Sequence, residues 1–368
     1  MNKRNKRIII ATGGTGGHVL PAYNLATHLN SNQFDVEIIC DKRGLKYFKN
    51  RENLNITILN SSSILNKGLF KLVSSVLIII GSLFRSILVL YKNKPALVFG
   101  MGGYSAFPVC IAARILKIPL IIYENNLHIG KANKYLLPFA NKVLVSFNEL
   151  AGIKKAYAHK VSKIGNIIRK EIFSFQSENY YNQNDQVLKI LVLGGSQAAK
   201  AFGEKLPKIF KQCSDIKIPM KIYQQCLPDQ NNLLVSYYEN LNIDCEIFNF
   251  SDDLLEYFSK VNLAITRSGS SMLAELTNSN IPFISVPLPS SADNHQLKNA
   301  IHYQKNEYSY LIEEKELDDK LYELIKLIHK DKSLLKQIKT QQQHYSDKSV
   351  YENIDKEIKE IIKNNEEY

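Results

Sequence analysis

Each half of this chain opens with the same short pattern, an apolar run that ends in two glycines and a hydroxyl residue. Residues 7–15 read RIIIATGGT and residues 189–196 read KILVLGGS, which sets Gly13 and Gly194 181 positions apart in a chain of 368. β-Branched runs of this kind are typical of buried strands in parallel sheets. A helical pattern follows each glycine pair, and strand, glycine turn and helix form the first unit of a doubly wound sheet. The sequence therefore predicts an α/β protein with two Rossmann-like domains.

Further strand patterns support two such parallel-sheet domains facing a cleft. Strands are expected at 36–40, 96–100, 119–123, 142–145, 221–223, 245–248, 263–265 and 282–286. We expect the first domain to span residues 1–168 and the second to span 187–340, with the polar stretch 176–186 as linker. Isoleucines at helical spacing in residues 341–368 predict a C-terminal amphipathic helix that packs back on the first domain.

The charge of the chain points to an anionic partner. Lys and Arg number 47 against 35 Asp and Glu, a formal net charge of +12. Nucleic acid, a phosphorylated substrate and an acidic lipid surface all fit that charge. The basic residues lie among Leu, Ile and Val, without a zinc-finger or RNP-type aromatic motif, so no nucleic acid is expected. The five cysteines lack metal-ligand spacing, and the first apolar run is too short for an export signal.

The glycine loops suit a phosphate, because free N–H groups and the positive end of the helix dipole meet at such a turn. The dinucleotide fingerprint would need glycine or alanine at Val19, and the P-loop would need Gly-Lys-Ser/Thr where His18 and Val19 stand. A glycine turn without a ligand remains an alternative for each loop. A nucleotide that binds between two Rossmann-like halves without either of these motifs indicates a sugar-nucleotide transferase.

A series of motifs runs in order from about residue 7 to about residue 300. Its members are Gly13 to His18 with Pro21, Gly100 to Tyr104, Glu124 to Asn126, Gly165-Asn166 with Arg169, Gly194 to Gln197, and Arg267 to Gly269 with Glu275. In these motifs the chain resembles the family of undecaprenyldiphospho-muramoylpentapeptide β-N-acetylglucosaminyltransferases. The resemblance implies the two-domain GT-B architecture, UDP-N-acetylglucosamine as donor, no cofactor, and lipid I as the acceptor that becomes lipid II. It also implies a peripheral enzyme on the cytoplasmic face of the bacterial inner membrane.

The resemblance places the donor mainly in the second half. It implies Ser196 at the diphosphate, Glu275 at the uridine ribose and Gln296 at the sugar hydroxyls. Arg169 is expected near the phosphates, and the main chain near Ser251 beside the uracil. The residues expected to reach the donor from the first half are Thr15, Gly16, Gly17 and Asn126. The positions that depart from the family pattern, and so leave donor selectivity open, are His295, Ala198 and Ser251.

The implied reaction is an inversion, in which the muramoyl C4 hydroxyl attacks an α-linked donor and a β-linkage results. A general base is needed, and His18 is the first candidate because imidazole titrates near neutrality. Glu124 is the rival. The alternatives are that His18 packs against its loop and that Glu124 is structural. No metal is expected, because Asp252-Asp253 has the character of a loop or helix cap.

The acceptor side is expected at Gly102, Gly103 and Tyr104, with Tyr104 and Asn126 as positioning residues. A GT-B transferase with another lipid or natural-product acceptor is the alternative function, and it would differ around these residues.

Residues 53–123 contain no Asp or Glu but seven Lys and Arg, and an apolar run of 13 residues lies at 72–84. A membrane-spanning helix needs about 20 apolar residues, so this run is too short to span. We expect a helix that lies in the membrane interface, with anionic lipids as its partner. An ordinary buried helix with solvated lysines is the alternative.

Overall fold

The computed structural model of the chain describes residues 7–48, 54–59, 69–175, 177, 181, 186–251 and 253–366. The chain divides into two compact units. The first comprises Met1–Arg169 and Asp347–Tyr368, and the second comprises Lys170–Ser346. Most of the linker expected at residues 176–186 lies outside the described residues.

The first unit is built on a seven-stranded parallel sheet. Its elements are β1 (Arg7–Ala11), α1 (Gly16–Ser31), β2 (Asp35–Cys40), α2 (Lys42–Leu45), β3 (Asn55–Ile58), α3 (Leu69–Asn93), β4 (Leu97–Gly100), α4 (Ala106–Ile115), β5 (Leu120–Glu124), α5 (Lys131–Leu136), β6 (Lys142–Val145), β7 (Val161–Lys163) and α13 (Val350–Glu366). The strand order is β3-β2-β1-β4-β5-β6-β7. Because the order reverses between β1 and β4, the loops at the carboxyl ends of these strands diverge and leave room for a ligand.

The second unit repeats this plan with six parallel strands. Its elements are β8 (Leu188–Leu193), α6 (Gly195–Asp215), β9 (Met220–Gln225), α7 (Asn231–Glu239), β10 (Asp244–Phe248), α8 (Leu254–Phe258), β11 (Leu263–Thr266), α9 (Ser270–Asn278), β12 (Phe283–Ser285), α10 (His295–Lys305), β13 (Tyr310–Leu311), α11 (Leu317–Lys330) and α12 (Ser333–Gln342). The order is β10-β9-β8-β11-β12-β13, so the reversal falls between β8 and β11.

The prediction of two doubly wound parallel sheets is confirmed. The strands at the sheet centres are buried on both faces, so they stand out in the sequence as unbroken apolar runs. Three strands were not predicted: β3, β7 and β13. All three are edge strands of four, three and two residues, and none has a fully buried residue.

The last helix, α13, belongs to the first unit although it follows the second unit in the chain. Asp355 on α13 lies 2.9 Å from Nε2 of His28 on α1, and Lys142 forms an ion pair with Glu357 at 3.1 Å. The apolar side of α13, with Ile354 and Ile358, is fully buried. The chain re-enters the first unit at Asp347, so residues 341–346 remain with the second unit.

Candidate functional site

Three loops of the first unit converge at the carboxyl ends of β1, β4 and β5. His18, in the first turn of α1, lies against the Gly102-Gly103 turn that follows β4. A methyl group added at Gly102 would lie 3.1 Å from the imidazole Cε1, and one at Gly103 would lie 3.1 Å from the carbonyl oxygen of Gly13. Both glycines also have positive φ, 85° and 79°. Only glycine therefore allows the turn to lie this close to the half-buried imidazole.

Asp41, which follows β2, forms a hydrogen bond with the first glycine loop. Its Oδ1 accepts hydrogen bonds from the N–H groups of Gly14 (3.0 Å) and Gly44 (2.8 Å), and its Oδ2 accepts from Nε of Arg43 (2.8 Å). Burial by itself would raise the pKa of Asp41, but these bonds and one from Ser105 outweigh burial and lower the pKa to about 2. Asp41 was not predicted from the sequence as part of the site. Its only local signal is an acid followed three positions later by glycine at a helix start.

Replacing Asp41 by asparagine is expected to destabilise the protein in a pH-dependent way. A carboxyl whose pKa falls on folding adds stability above its unfolded pKa and loses it as pH falls through its folded pKa. The loss should be about 2 kcal/mol at pH 7 and about half of that at pH 3. Urea unfolding of both proteins at the two pH values measures it. Asp35→Asn, which breaks the half-exposed pair with Arg7, is the control and should cost under about 1 kcal/mol. An Asp41→Asn loss that is the same at both pH values would contradict this account.

Glu124, the last residue of β5, organises the loop that follows it. Its Oε1 accepts from the backbone N–H and the side-chain amide of Asn126, at 3.1 and 3.0 Å. Its Oε2 accepts from the N–H of Gly130 at 2.8 Å and from the side-chain amide of Asn133 at 3.0 Å. The carboxylate is 3% exposed and has four donors for its two oxygens. This geometry fits a structural anchor better than a group that takes a proton from substrate.

The β5 loop is tied to the first glycine loop by an asparagine pair. Nδ2 of Asn125 donates to the carbonyl oxygen of Gly17 at 2.9 Å, and Nδ2 of Asn126 donates to Oδ1 of Asn125 at 2.9 Å. The structure therefore brings Gly16, Gly17, His18, Gly102, Gly103 and Asn126 into one neighbourhood. Thr15 is the N-cap of α1, and Tyr104 is half-buried directly after the glycine turn of β4.

The segment that carries Arg169 is fixed by residues from the end of the chain. The N–H of Asn166 donates to Oδ1 of Asp347 at 3.0 Å, and the hydroxyl of Tyr351 donates to the carbonyl of Ile168 at 2.6 Å. Gly165 has φ of 99°, and a methyl group there would lie 2.7 Å from the Asp347 carboxylate. Asp347 was also missed, because nothing near it in the sequence marks a contact 181 residues away.

In the second unit, the glycine pair after β8 begins a long helix. Gly194 is the N-cap of α6, and Gly195 has φ of 64° and donates its N–H to Oε1 of Gln225 at 3.1 Å. Ser196 stands in the first turn of α6, where helix N–H groups and the helix dipole favour an anion. The side chains of Ser196 and Ala198 lie outside the described part of the chain.

Gln296 joins two further loops at the carboxyl edge of this sheet. Its Oε1 accepts from the N–H of Ser268 after β11, at 3.2 Å, and from the N–H of Leu288 after β12, at 3.0 Å. The NH₂ group of Gln296 is then the part of the side chain that can donate hydrogen bonds to a ligand. The preceding residue, His295, uses Nδ1 at 2.7 Å from the carbonyl of Ala292 and so belongs to the turn.

Glu275 and Arg267 are both buried charged residues of the second unit. Glu275 projects from α9 and is 6% exposed. Arg267 is held within the fold: it donates to the carbonyl of Val286 at 3.2 Å, pairs with Glu314, and lies over the ring of Phe202 at 4.5 Å. Burial lowers the pKa of its guanidinium, although Glu314 opposes that effect. We assign Arg267 a structural role.

The predicted helix cap is confirmed for Asp253, whereas Asp252 lies outside the described residues. Oδ1 of Asp253 accepts from the N–H groups of Leu255 (3.0 Å) and Glu256 (3.3 Å) at the start of α8. Ser251 stands just before, half-buried. Within the described ranges, no three or more His, Cys, Asp or Glu side chains form a group that could hold a metal ion.

Helix α3 has a buried side and an apolar exposed side. Ser82, Ser86 and Leu90 are buried, and the helix packs against α4. The side chains of Leu77, Phe84, Leu88 and Tyr91 are 63–68% exposed. The side chains of residues 69–76 lie outside the described part of the chain. In the part of the chain that the structure covers, no helix has the length and apolarity needed to cross a membrane.

Two doubly wound parallel α/β units with glycine loops at their carboxyl edges have the GT-B plan found in sugar-nucleotide glycosyltransferases. Residues 8–145 match the glycosyltransferase family 28 N-terminal domain, and residues 189–363 match the glycosyltransferase family 28 C-terminal domain. The chain belongs to glycosyltransferase family 28, among its UDP-N-acetylglucosamine–N-acetylmuramyl-(pentapeptide) pyrophosphoryl-undecaprenol N-acetylglucosamine transferases.

The similarity to these transferases extends over almost the whole chain. The Pelagibacter ubique transferase of that name is 36% identical over 365 residues, which cover 98% of this chain and 100% of the relative. The Rickettsia bellii transferase is 32% identical, over 91% of this chain and 96% of the relative. The crystal structure of Acinetobacter baumannii MurG is 25% identical, with a TM-score of 0.76, and covers 95% of this chain and 98% of that one.

Proposed function

We propose that this protein transfers N-acetylglucosamine from UDP-N-acetylglucosamine to the muramoyl C4 hydroxyl of lipid I, which yields lipid II for peptidoglycan. The observation that carries the proposal is the match to both family 28 domains and, over nearly the full length, to transferases named for this donor and acceptor. The reaction class is that of an inverting hexosyltransferase. The alternative, another acceptor on the same fold, has no specific observation in its favour.

The donor site is proposed in the second unit. The N-terminus of α6, with Ser196, takes the diphosphate, because helix N–H groups stabilise the negative charge that builds on departing UDP. Glu275 accepts from the vicinal ribose hydroxyls, and the NH₂ group of Gln296 donates to sugar hydroxyls. The main chain near the half-buried Ser251 flanks the uracil. Arg169, from the first unit, adds positive charge near the phosphates.

The acceptor site and the base are proposed in the first unit. His18 takes the proton of the C4 hydroxyl, and its contact with the Gly102-Gly103 turn supports a fixed imidazole orientation. Glu124 positions Asn126 and does not act as base, since its two oxygens already accept four hydrogen bonds. Tyr104 and Asn126 orient the acceptor, and the loop residues Thr15, Gly16 and Gly17 complete the contacts with the donor sugar.

We place the enzyme peripherally on the cytoplasmic face of the inner membrane, with anionic lipids as partners. The exposed apolar side of α3 supports this placement, because monomeric proteins rarely expose so many large apolar side chains on one helix. Its side chains would lie among lipid headgroups while Arg85 and Lys92 face anionic phosphates. No nucleic acid is proposed as a partner.

The decisive assay is incubation of the protein with radiolabelled UDP-N-acetylglucosamine and a lipid I analogue. We expect label in a disaccharide product with the donor's α-linkage inverted to β, and little transfer from UDP-glucose under the same conditions. Transfer to other polyprenyl-linked or natural-product acceptors, with none to the lipid I analogue, would favour the alternative acceptor class. Absence of any transfer from either donor would refute the proposed activity.

Transfer is expected to proceed at its full rate in EDTA. In this proposal the charge on departing UDP is met by the N–H groups of α6 and by Arg169, so no divalent ion is required. Initial rates with EDTA and with added magnesium test this directly. A loss of rate in EDTA that magnesium restores would contradict the proposed role of the helix terminus.

A further inference from the structure

Gln225 connects two loops of the second unit, those proposed to bind the diphosphate and the uracil. It is the last residue of β9, and β9 lies between β8 and β10 in the sheet. Its Oε1 accepts from the N–H of Gly195, in the turn after β8, at 3.1 Å. Its Nε2 donates to the carbonyl oxygen of Asn249, in the loop after β10, at 3.1 Å. The side-chain amide of Gln225 therefore joins the start of α6 to the loop that leads to Ser251.

The two hydrogen bonds of Gln225 need opposite ends of its amide. A backbone N–H can only donate and a backbone carbonyl oxygen can only accept, so the amide fits in one orientation. A glutamate side chain has the same shape, but as a carboxylate it has no donor and would place an oxygen against the carbonyl of Asn249. Neither a carboxylate nor an apolar side chain can therefore make both bonds.

Asn249 is also held by its side chain. Its Nδ2 donates to Oδ1 of Asn231 at 2.8 Å and to the carbonyl oxygen of Cys226 at 3.0 Å, and its Oδ1 accepts from Nδ2 of Asn231 at 3.1 Å. Asn231 is the first residue of α7. The side chain of Asn249 is thus fixed to α7 and to the end of β9, while its main chain is bonded to Gln225. The main chain proposed to flank the uracil at Ser251 therefore follows closely after an anchored residue.

The bond to Gly195 uses an N–H group that would otherwise be open to an anion. The first N–H groups of a helix have no partner within that helix, and Gly195 is the first residue of α6. With this N–H bonded to Gln225, the N–H groups of the following residues are the ones available to a diphosphate. A half-buried glutamine that only closed the end of a strand could bond to water and would not need this N–H. The contact with Gly195 therefore indicates a role in the placement of the diphosphate turn.

We propose that Gln225 is a positioning residue that couples recognition of the uracil to binding of the diphosphate. The proposal rests on the donor site of the proposed function and adds a residue that acts through the two loops. A nucleoside diphosphate contacts both loops at once, so it binds tightly only if their separation is fixed before binding. Uracil has a carbonyl oxygen and a ring N–H where cytosine has an amino group and an unprotonated ring nitrogen. Main-chain groups discriminate between these patterns only if their loop is held in place.

The test is calorimetric binding of UDP and of CDP to the full chain, from which the ratio of the two affinities is taken. We expect the unmodified protein to prefer UDP, and Gln225→Glu to reduce that preference ~10-fold because the bond to Asn249 is lost. The negative charge that this variant adds near the diphosphate weakens both ligands alike and leaves the ratio unchanged. The control, Gln212→Glu, adds the same charge at an exposed position of α6 and should keep the ratio within about twofold.

Gln225→Met is the second variant, because its side chain has a similar length and carries no charge. It should lose the preference for UDP to the same extent as Gln225→Glu. If the two variants bind UDP and CDP more weakly by one common factor, so that the preference persists, Gln225 only supports the fold and the proposal is overturned. Equal binding of UDP and CDP to the unmodified protein would also overturn it. Transfer from UDP-N-acetylglucosamine to the lipid I analogue is measured alongside, and its absence in the unmodified protein would refute the proposed activity independently of the ratio.

Discussion

His18→Ala is expected to lower kcat at least ~10²-fold while the affinity for UDP changes little. The imidazole lies against the Gly102-Gly103 turn of the first unit, whereas the groups proposed to bind UDP belong mainly to the second unit. A general base acts in the transition state, so its removal lowers kcat and kcat/KM together. Steady-state rates with the lipid I analogue, and UDP binding by calorimetry, measure the two quantities separately.

A second variant and a pH profile distinguish a general base from a histidine that only packs against its loop. His18→Gln keeps a polar side chain of similar size, so it should restore the unfolding temperature if His18→Ala lowers it, without restoring kcat. In the unmodified protein, kcat should fall at acid pH as the base is protonated, and this limb should vanish in both variants. Recovery of turnover in His18→Gln would show that His18 has a packing role and does not act as the base.

Glu124→Gln provides the comparison with the rival base. Glutamine would place an NH₂ group opposite two hydrogen-bond donors, the N–H of Gly130 and the side-chain amide of Asn133. The carboxylate now accepts hydrogen bonds from both. A buried donor left facing another donor costs about 1–3 kcal/mol, so a lower unfolding temperature is expected. The acid limb of the kcat profile should remain. Its loss in Glu124→Gln, with the fold intact, would transfer the role of base to Glu124.

The parts of the fold and site that could be predicted are those with a local cause. A buried central strand needs an apolar run, and a glycine such as Gly103 is required by its own φ and its closest neighbour. Both features can be recognised in the sequence from a few consecutive residues. Edge strands such as β7 are short and half-exposed, so burial imposes no such run on their sequence.

Residues that act across long distances in the chain could not be predicted. Asp41 supports the Gly14 turn from 27 residues away, and Asp347 supports Asn166 from 181 residues away. Nothing in a periodic pattern pairs such positions, because the contact arises only when the sheet and the last helix are assembled. The same holds for Gln296, whose oxygen joins two loops from different strands. Its proposed role came from family resemblance, and its fixed orientation became visible only in the structure.

Glu275→Ala is expected to weaken UDP binding by about 10- to 100-fold, because a carboxylate that accepts from two ribose hydroxyls makes charge-assisted bonds of about 1.5–3 kcal/mol. Glu275 is 6% exposed in the second unit, so in the variant bulk water would not readily take its place as the hydrogen-bond partner of the ribose hydroxyls. Calorimetry of UDP binding measures the change. Glu239→Ala, at the end of α7 and exposed, is the matched control and should leave UDP affinity unchanged.

The ribose contact itself is tested by removing the hydroxyl from the ligand as well as the carboxylate from the protein. Unmodified protein should bind 2′-deoxy-UDP several-fold more weakly than UDP, whereas Glu275→Ala should bind the two almost equally, because the partner of the 2′-hydroxyl is gone. A carboxylate that only supports α9 would weaken both ligands by the same factor, so the preference for UDP would persist. The ratio of the two affinities therefore distinguishes a direct bond to the ribose from an indirect effect on the fold, even if the variant is less stable.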